Sequence, residues 1–108
     1  MGKMPGQQVR GSKSGRPIMV LFDVLGQRWT LRILWELRDN RLNFREVQKR
    51  CDNISPTVLN RRLKELRAMN LVDHTDSGYG YTKWGRQLSN YLVELHIWAD
   101  DWAKELDE

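Results

Sequence analysis

The chain is 108 residues long, with a formal net charge of +4, an apolar share of 40% and five tryptophans. That suffices for one hydrophobic core but not two, and it argues against wholesale disorder. A single cysteine excludes an internal disulfide framework and fits a reducing, cytoplasmic setting; no apolar run nears the roughly 18 residues that span a bilayer, and no signal peptide is expected.

Residues 1–16 read as a flexible basic tail: Lys3, Arg10, Lys13 and Arg16 stand in a Gly-rich stretch without one acid. The domain is expected over 17–108. Pro17 starts a helix carrying Met19, Leu21, Phe22 and Leu25, closed at Gly26. A second helix is expected over 30–38, with Ile33, Leu34 and Leu37 inward. Asn43 caps a third, and Glu46 three positions later completes a capping box. Phe44, Val47 and Cys51 line its apolar side, and Asp52-Asn53 turns the chain.

The helix expected over 55–69 has two independent start signals, Ser55 as N-cap and Pro56 at the first helical position. Ile54 and Leu59 are spaced as a hydrophobic staple. Leu59, Leu63 and Leu66 share one face. At about 100° per residue, Thr57, Arg61 and Lys64 fall on the opposite face, with Asn60 on its flank and no carboxylate near the centre. Guanidinium, ammonium, amide and hydroxyl are the groups that meet base edges and phosphates in a major groove. Alone, such a helix is more often a solvated surface helix. Two helices joined by a short polar turn, the second with a basic polar face, form a helix-turn-helix layout. Across residues 28–67, eleven Lys/Arg stand against five Asp/Glu, which permits a polyanionic partner.

A short strand over 71–75, turn residues Asp76-Ser77-Gly78 and a returning strand with Tyr79 and Tyr81 alternating make a hairpin wing. Thr82 then caps a long helix, to about 106, in which Trp84, Leu88, Tyr91, Leu95, Trp98 and Trp102 form a heptad seam. A small domain covers only part of such a helix, so the rest is expected to meet the same helix of a second subunit. The expected fold is mostly α with a short β-hairpin wing (α+β): a winged helix-turn-helix with a long C-terminal dimerisation helix over about 82–106.

From residue 16 to 88 the chain resembles the HxlR family of bacterial and archaeal winged-helix transcriptional regulators. The resemblance lies in Leu25-Gly26-Gln27-Arg28-Trp29-Thr30 with Ile33-Leu34, and in Asn43-Phe44-Arg45-Glu46-Val47. It continues through the run from Ile54 to Leu66, Asn70-Leu71-Val72 and the run from Tyr79 to Leu88. It implies a homodimeric, sequence-specific regulator of double-stranded DNA whose 55–69 helix enters the major groove. Three departures stand out. The wing is several residues shorter and lacks the Pro-rich tip, so its minor-groove contact is not carried over. Many members have a Cys-Pro pair ten residues before the position of Gly26, and some sense oxidants or electrophiles there. Here Arg16-Pro17 replaces it, and that switch is not carried over. The Trp-rich helix follows no family motif.

The expected DNA contacts are Ser55, Thr57, Asn60, Arg61 and Lys64, with Arg28, Arg41 and Arg45 on backbone phosphates; the alternative for those three is ordinary surface arginine. Arg62 lies off the polar centre and either flanks a phosphate or pairs with an acid. The expected dimer contacts are Leu88, Tyr91, Leu95, Trp98 and Trp102. For Cys51 an inert core thiol is favoured over a redox sensor. Plain interface packing of Trp84, Trp98 and Trp102 is favoured over an aromatic pocket for an unidentified effector. His74 and His96 lack a ligand set, and no nucleophile–base set appears, so no metal, cofactor, catalytic residue or membrane partner is expected. The competing function is a winged-helix adaptor that binds protein rather than DNA.

Overall fold

The computed structural model describes residues 15–107; the basic tail falls outside them up to residue 14. The described elements run α1 (Pro17–Leu25), α2 (Thr30–Glu36), α3 (Phe44–Arg50), α4 (Pro56–Ala68), β1 (Val72–Thr75), β2 (Gly78–Tyr81) and α5 (Lys83–Leu106). This is the winged helix-turn-helix, mostly helical, with a two-stranded antiparallel hairpin and a long last helix.

Capping chemistry sets where the helices begin. Asn43 Oδ1 accepts the Glu46 N–H and Glu46 Oε1 accepts the Asn43 N–H, both at 2.9 Å, closing a capping box on α3. Ser55 Oγ accepts the Val58 N–H at a long 3.5 Å, with Pro56 behind it, and Ile54 and Leu59 join the core as the staple requires. Thr82 Oγ1 accepts the Gly85 N–H at 3.1 Å to open α5. Asn70, at φ 57, ends α4 in the left-handed region that Asn tolerates. α2 lacks such devices and ends at Glu36, two residues short of expectation. Its last turn tightens instead, the Leu37 N–H reaching the Leu34 carbonyl and the Arg38 N–H the Trp35 carbonyl, both at 3.2 Å.

The α3–α4 turn uses two consecutive left-handed residues, Asp52 (φ 57) and Asn53 (φ 58). The side chain of Gln48 donates to the Ile54 carbonyl at 3.0 Å and holds the turn closed. Packing then converges on α2, against which α1, α3 and α5 all lie. Leu59, Leu63 and Leu66 of α4 meet Ile33, Leu34 and Val47 in a fully buried cluster. Burying each such side chain stabilises the fold by about 1.5–3 kcal/mol.

The hairpin pairs Val72 with Tyr81 and Thr75 with Gly78. Gly78 sits at φ 107 with the Leu42 carbonyl where a Cβ would be, so glycine is required there. Leu42 adds an unexpected isolated bridge on the other edge of β2, exchanging backbone hydrogen bonds of 3.0 and 2.7 Å with Tyr79. The expected one-in, one-out alternation of β2 therefore fails: Gly78, Tyr79 and Gly80 are all buried, because the core covers one face and the Arg41–Leu42 segment the other. The hydroxyl of Tyr81 donates to the Leu34 carbonyl, tying the wing to α2. No helix of the described residues is long and apolar enough to cross a membrane.

Candidate nucleic-acid interface

The face of α4 opposite Leu59, Leu63 and Leu66 is open. Ser55, Thr57, Asn60, Arg61 and Lys64 are all exposed. Among the described residues neither Arg61 nor Lys64 joins an ion pair. From Thr57 to Lys64 the rise is about 10 Å, the length of roughly three base pairs. A hydroxyl, an amide, a guanidinium and an ammonium on that strip can donate to phosphates and to the acceptors of guanine and adenine edges. Arg28, in the α1–α2 turn, and Arg45, in the first turn of α3, are exposed as well.

Arg32, Arg41 and Arg62 each work inside the molecule, and sequence reasoning missed or misplaced the first two. Arg41, expected beside Arg28 and Arg45 as a phosphate contact, pairs with Asp73 at 2.6 Å and donates to the Gly78 carbonyl at 3.0 Å. Its stem lies where a Cβ on residue 80 would be. It is a clamp between the α2–α3 loop and the wing, and it leaves the proposed contact set. Arg32 donates to Glu36 at 2.9 Å and to the Arg50 carbonyl at 2.6 Å, bracing the α3–α4 turn; the hydrogen bond to Glu36 is the main reason its pKa is raised. Arg62 takes the second of its two readings, pairing with Glu65 at 2.8 Å, and also donates to the Arg28 carbonyl at 2.8 Å. The carbonyls that Arg32 and Arg41 reach lie 18 and 37 positions away, and no local pattern in the sequence points to those two contacts.

The thiol of Cys51 is fully buried, and burial pushes its pKa up to about 11, against a smaller opposing effect of Arg32. It is a core residue at the end of α3 rather than an accessible nucleophile. Among the described residues no cluster of His, Cys, Asp or Glu could hold a metal ion.

The exposed side of α5 carries an apolar stripe among charged residues such as Glu94 and Asp101. Tyr91 is 71% exposed, Leu95 56%, Trp98 59% and Trp102 53%. The Trp98 and Trp102 rings stack at 5.6 Å. Leu88, expected in the same open seam, is half-buried against the core of its own subunit. The inward line of α5 is Gly85, Ser89 and half-buried Leu92 and Ala99, offset from the expected heptad because a close approach to Leu71 favours small residues.

A family model described as HxlR-like helix-turn-helix matches residues 24–107. The chain belongs to the HxlR family. Relatives agree with that placement. The HTH-type transcriptional regulator YodB of Bacillus subtilis is 30% identical over 93 residues, covering 80% of this chain and 83% of that protein. YvaP of the same organism, described as an uncharacterised HTH-type transcriptional regulator, is 31% identical over 87 residues, covering 74% and 81%. The crystal structure of quinone-bound YodB superposes with a TM-score of 0.71 at 32% identity, covering 78% of this chain and 96% of that one. A possible HxlR family transcriptional factor from Thermoplasma volcanium gives 0.71 at 27% identity, covering 82% and 85%. As an HxlR family member the chain is a DNA-binding transcriptional regulator of the helix-turn-helix class.

Proposed function

We propose that the protein is a sequence-specific double-stranded DNA-binding regulator that acts as a homodimer on an inverted-repeat operator. The observation that carries this reading is the open polar face of α4: Thr57, Asn60, Arg61 and Lys64 exposed together on a helix whose opposite side is locked into the core. In this reading the residues from Ser55 to the end of α4 enter the major groove, Arg61 and Asn60 meet base edges, and Lys64, Arg28 and Arg45 meet phosphates. The exposed Tyr91, Leu95, Trp98 and Trp102 of α5 support the dimer, since an apolar stripe of that size on one helix marks an interaction surface. Ile18 and Phe22, exposed on α1, offer the partner helix further apolar surface. Two recognition helices related by a two-fold axis would read half-sites about 34 Å apart.

Selection of bound duplexes from a random library tests the whole reading. The expected product is an inverted repeat bound with affinity that falls steeply as salt rises, because phosphate contacts release counterions. A library that returns no enriched sequence, together with binding to an acidic protein partner, would establish the adaptor function instead. Sedimentation at micromolar concentration tests the dimer directly.

A further inference from the structure

The inference concerns Arg62 and rests on the DNA-binding reading. The Arg62 side chain is only 12% exposed and bonds to two elements at once. Its Nη1 donates to Glu65 Oε1 on the same helix at 2.8 Å, which orients the planar fork, and its Nε donates to the carbonyl of Arg28 at 2.8 Å. That carbonyl belongs to the peptide leading into Trp29, whose φ is 78. A bulky residue rarely occupies the left-handed region, and such strain persists only where surrounding contacts hold it. The orientation of the Arg28–Trp29 peptide and the φ of Trp29 are geometrically linked. Releasing the carbonyl would remove the tie that holds this strained turn, and the Arg28 backbone with it, against α4. Arg28 itself is exposed, its guanidinium 6.0 Å from the Trp29 ring.

We propose that Arg62 is a positioning residue for DNA binding: it fastens the α1–α2 turn to the recognition helix so that Arg28 reaches a backbone phosphate while its neighbour Arg61 reaches a base. A plain surface ion pair would leave DNA binding untouched. Here the pair with Glu65 serves to aim the fork at Arg28, and base reading and backbone anchoring are held in one register by a single guanidinium.

The test is the slope of log affinity against log salt on the selected duplex, with folding checked by circular dichroism. Arg28→Ala should flatten the slope by about 1.8, one phosphate in each of two subunits at about 0.9 apiece. Arg62→Gln should flatten it by a similar amount although Arg62 touches no phosphate, and Arg28→Ala combined with Arg62→Gln should flatten it no further. Arg62→Met, which keeps the unbranched stem without leaving a buried donor, should match Arg62→Gln and replaces it if the glutamine variant does not fold. A wild-type slope for the Arg62 variants, or for Arg28→Ala, would overturn the proposal. Strictly additive flattening in the double variant would overturn it too, by showing Arg62 as an independent phosphate contact. Wild-type protein that shows no binding to any selected duplex at low salt would instead defeat the DNA-binding reading beneath it.

Discussion

The outer faces of α4 and α5 are both exposed, and they are opposite in chemistry. On α4 the open groups are Thr57, Asn60, Arg61 and Lys64, all of which water solvates well, so exposure leaves the isolated chain stable. On α5 the open groups are Trp84, Tyr91, Leu95, Trp98 and Trp102. Burying them would gain about 25 cal/mol for every Å² removed from water. The first face can wait for a partner; the second gains from a permanent one. The difference orders the expected assembly: dimer first, through α5, and DNA afterwards, through two copies of α4. It also separates the measurements, since changes on one face should move subunit association and changes on the other should move DNA affinity.

The largest expected effect lies on the apolar face. Trp98→Glu with Trp102→Glu should yield a folded monomer, because neither ring belongs to the core. Losing an interface anchor costs about 2 kcal/mol or more. Two anchors lost in each of two subunits make four, which should weaken association by about 8 kcal/mol if their effects add, roughly a millionfold. Sedimentation reads this directly, and a variant that stays dimeric would move the interface elsewhere.

Gly85→Ala should disturb the joint between the two faces. A Cβ there would lie 1.9 Å from the Leu71 carbonyl oxygen, a backbone atom with no freedom to retreat. Overpacking of this kind costs about 1–3 kcal/mol, enough to lower the melting temperature by several degrees or more. A variant melting with the wild type would show that α5 shifts easily on its seat.

Arg61→Ala tests the polar face alone. Its side chain is exposed, so stability should stay within about 0.5 kcal/mol, while affinity for the selected duplex falls by about 1–3 kcal/mol per subunit. Affinity should change little on random duplexes beyond the loss of one charge. Equal affinity of variant and wild type for the selected site would remove α4 from base reading.

Cys51 belongs to neither face and sets the lower bound. With its pKa raised from 9.0 to about 11, the native thiol ionises about a hundredfold less than an ordinary one, and alkylation at pH 8 should be correspondingly slow. The unfolded chain releases this proton near pH 9, before the folded one does. The thiol's contribution to stability is therefore complete below pH 9 and is lost as pH rises from 9 toward 11. Denaturant melts of wild type and Cys51→Ala across that window isolate the contribution, because other titrating groups are common to both. Rapid labelling at pH 8 would reveal a reactive surface that neither helix accounts for.

Much of this architecture is legible in the chain because its signals are local. Asn43 with Glu46, Ser55 with Pro56, and Thr82 each mark a helix start within four residues, and Leu59, Leu63 and Leu66 show the buried side of α4 by spacing alone. What escapes depends on distant partners. The Leu42–Tyr79 bridge is a single residue pair with no period. The clamps of Arg32 and Arg41 look like surface cations until the chain folds back on them. Leu88 satisfies the heptad yet turns inward, because the seat of α5 is set by Gly85 and Ser89, small residues that a hydrophobic period does not detect.

The hydroxyl of Thr82 has a consequence of its own. It accepts the Gly85 N–H that opens α5 and donates at 2.6 Å to the carbonyl of Asn70, the residue that ends α4. One oxygen thus ties the end of α4 to the start of α5. With 24 residues, α5 is a lever arm about 36 Å long. A tilt of only about 5° at that joint would displace the far end by about 3 Å, close to the 3.4 Å rise of one base pair. In the proposed dimer, half-site spacing would therefore respond to the angle at Thr82, far from any base, and a small change there would retune which operators the two α4 helices could span.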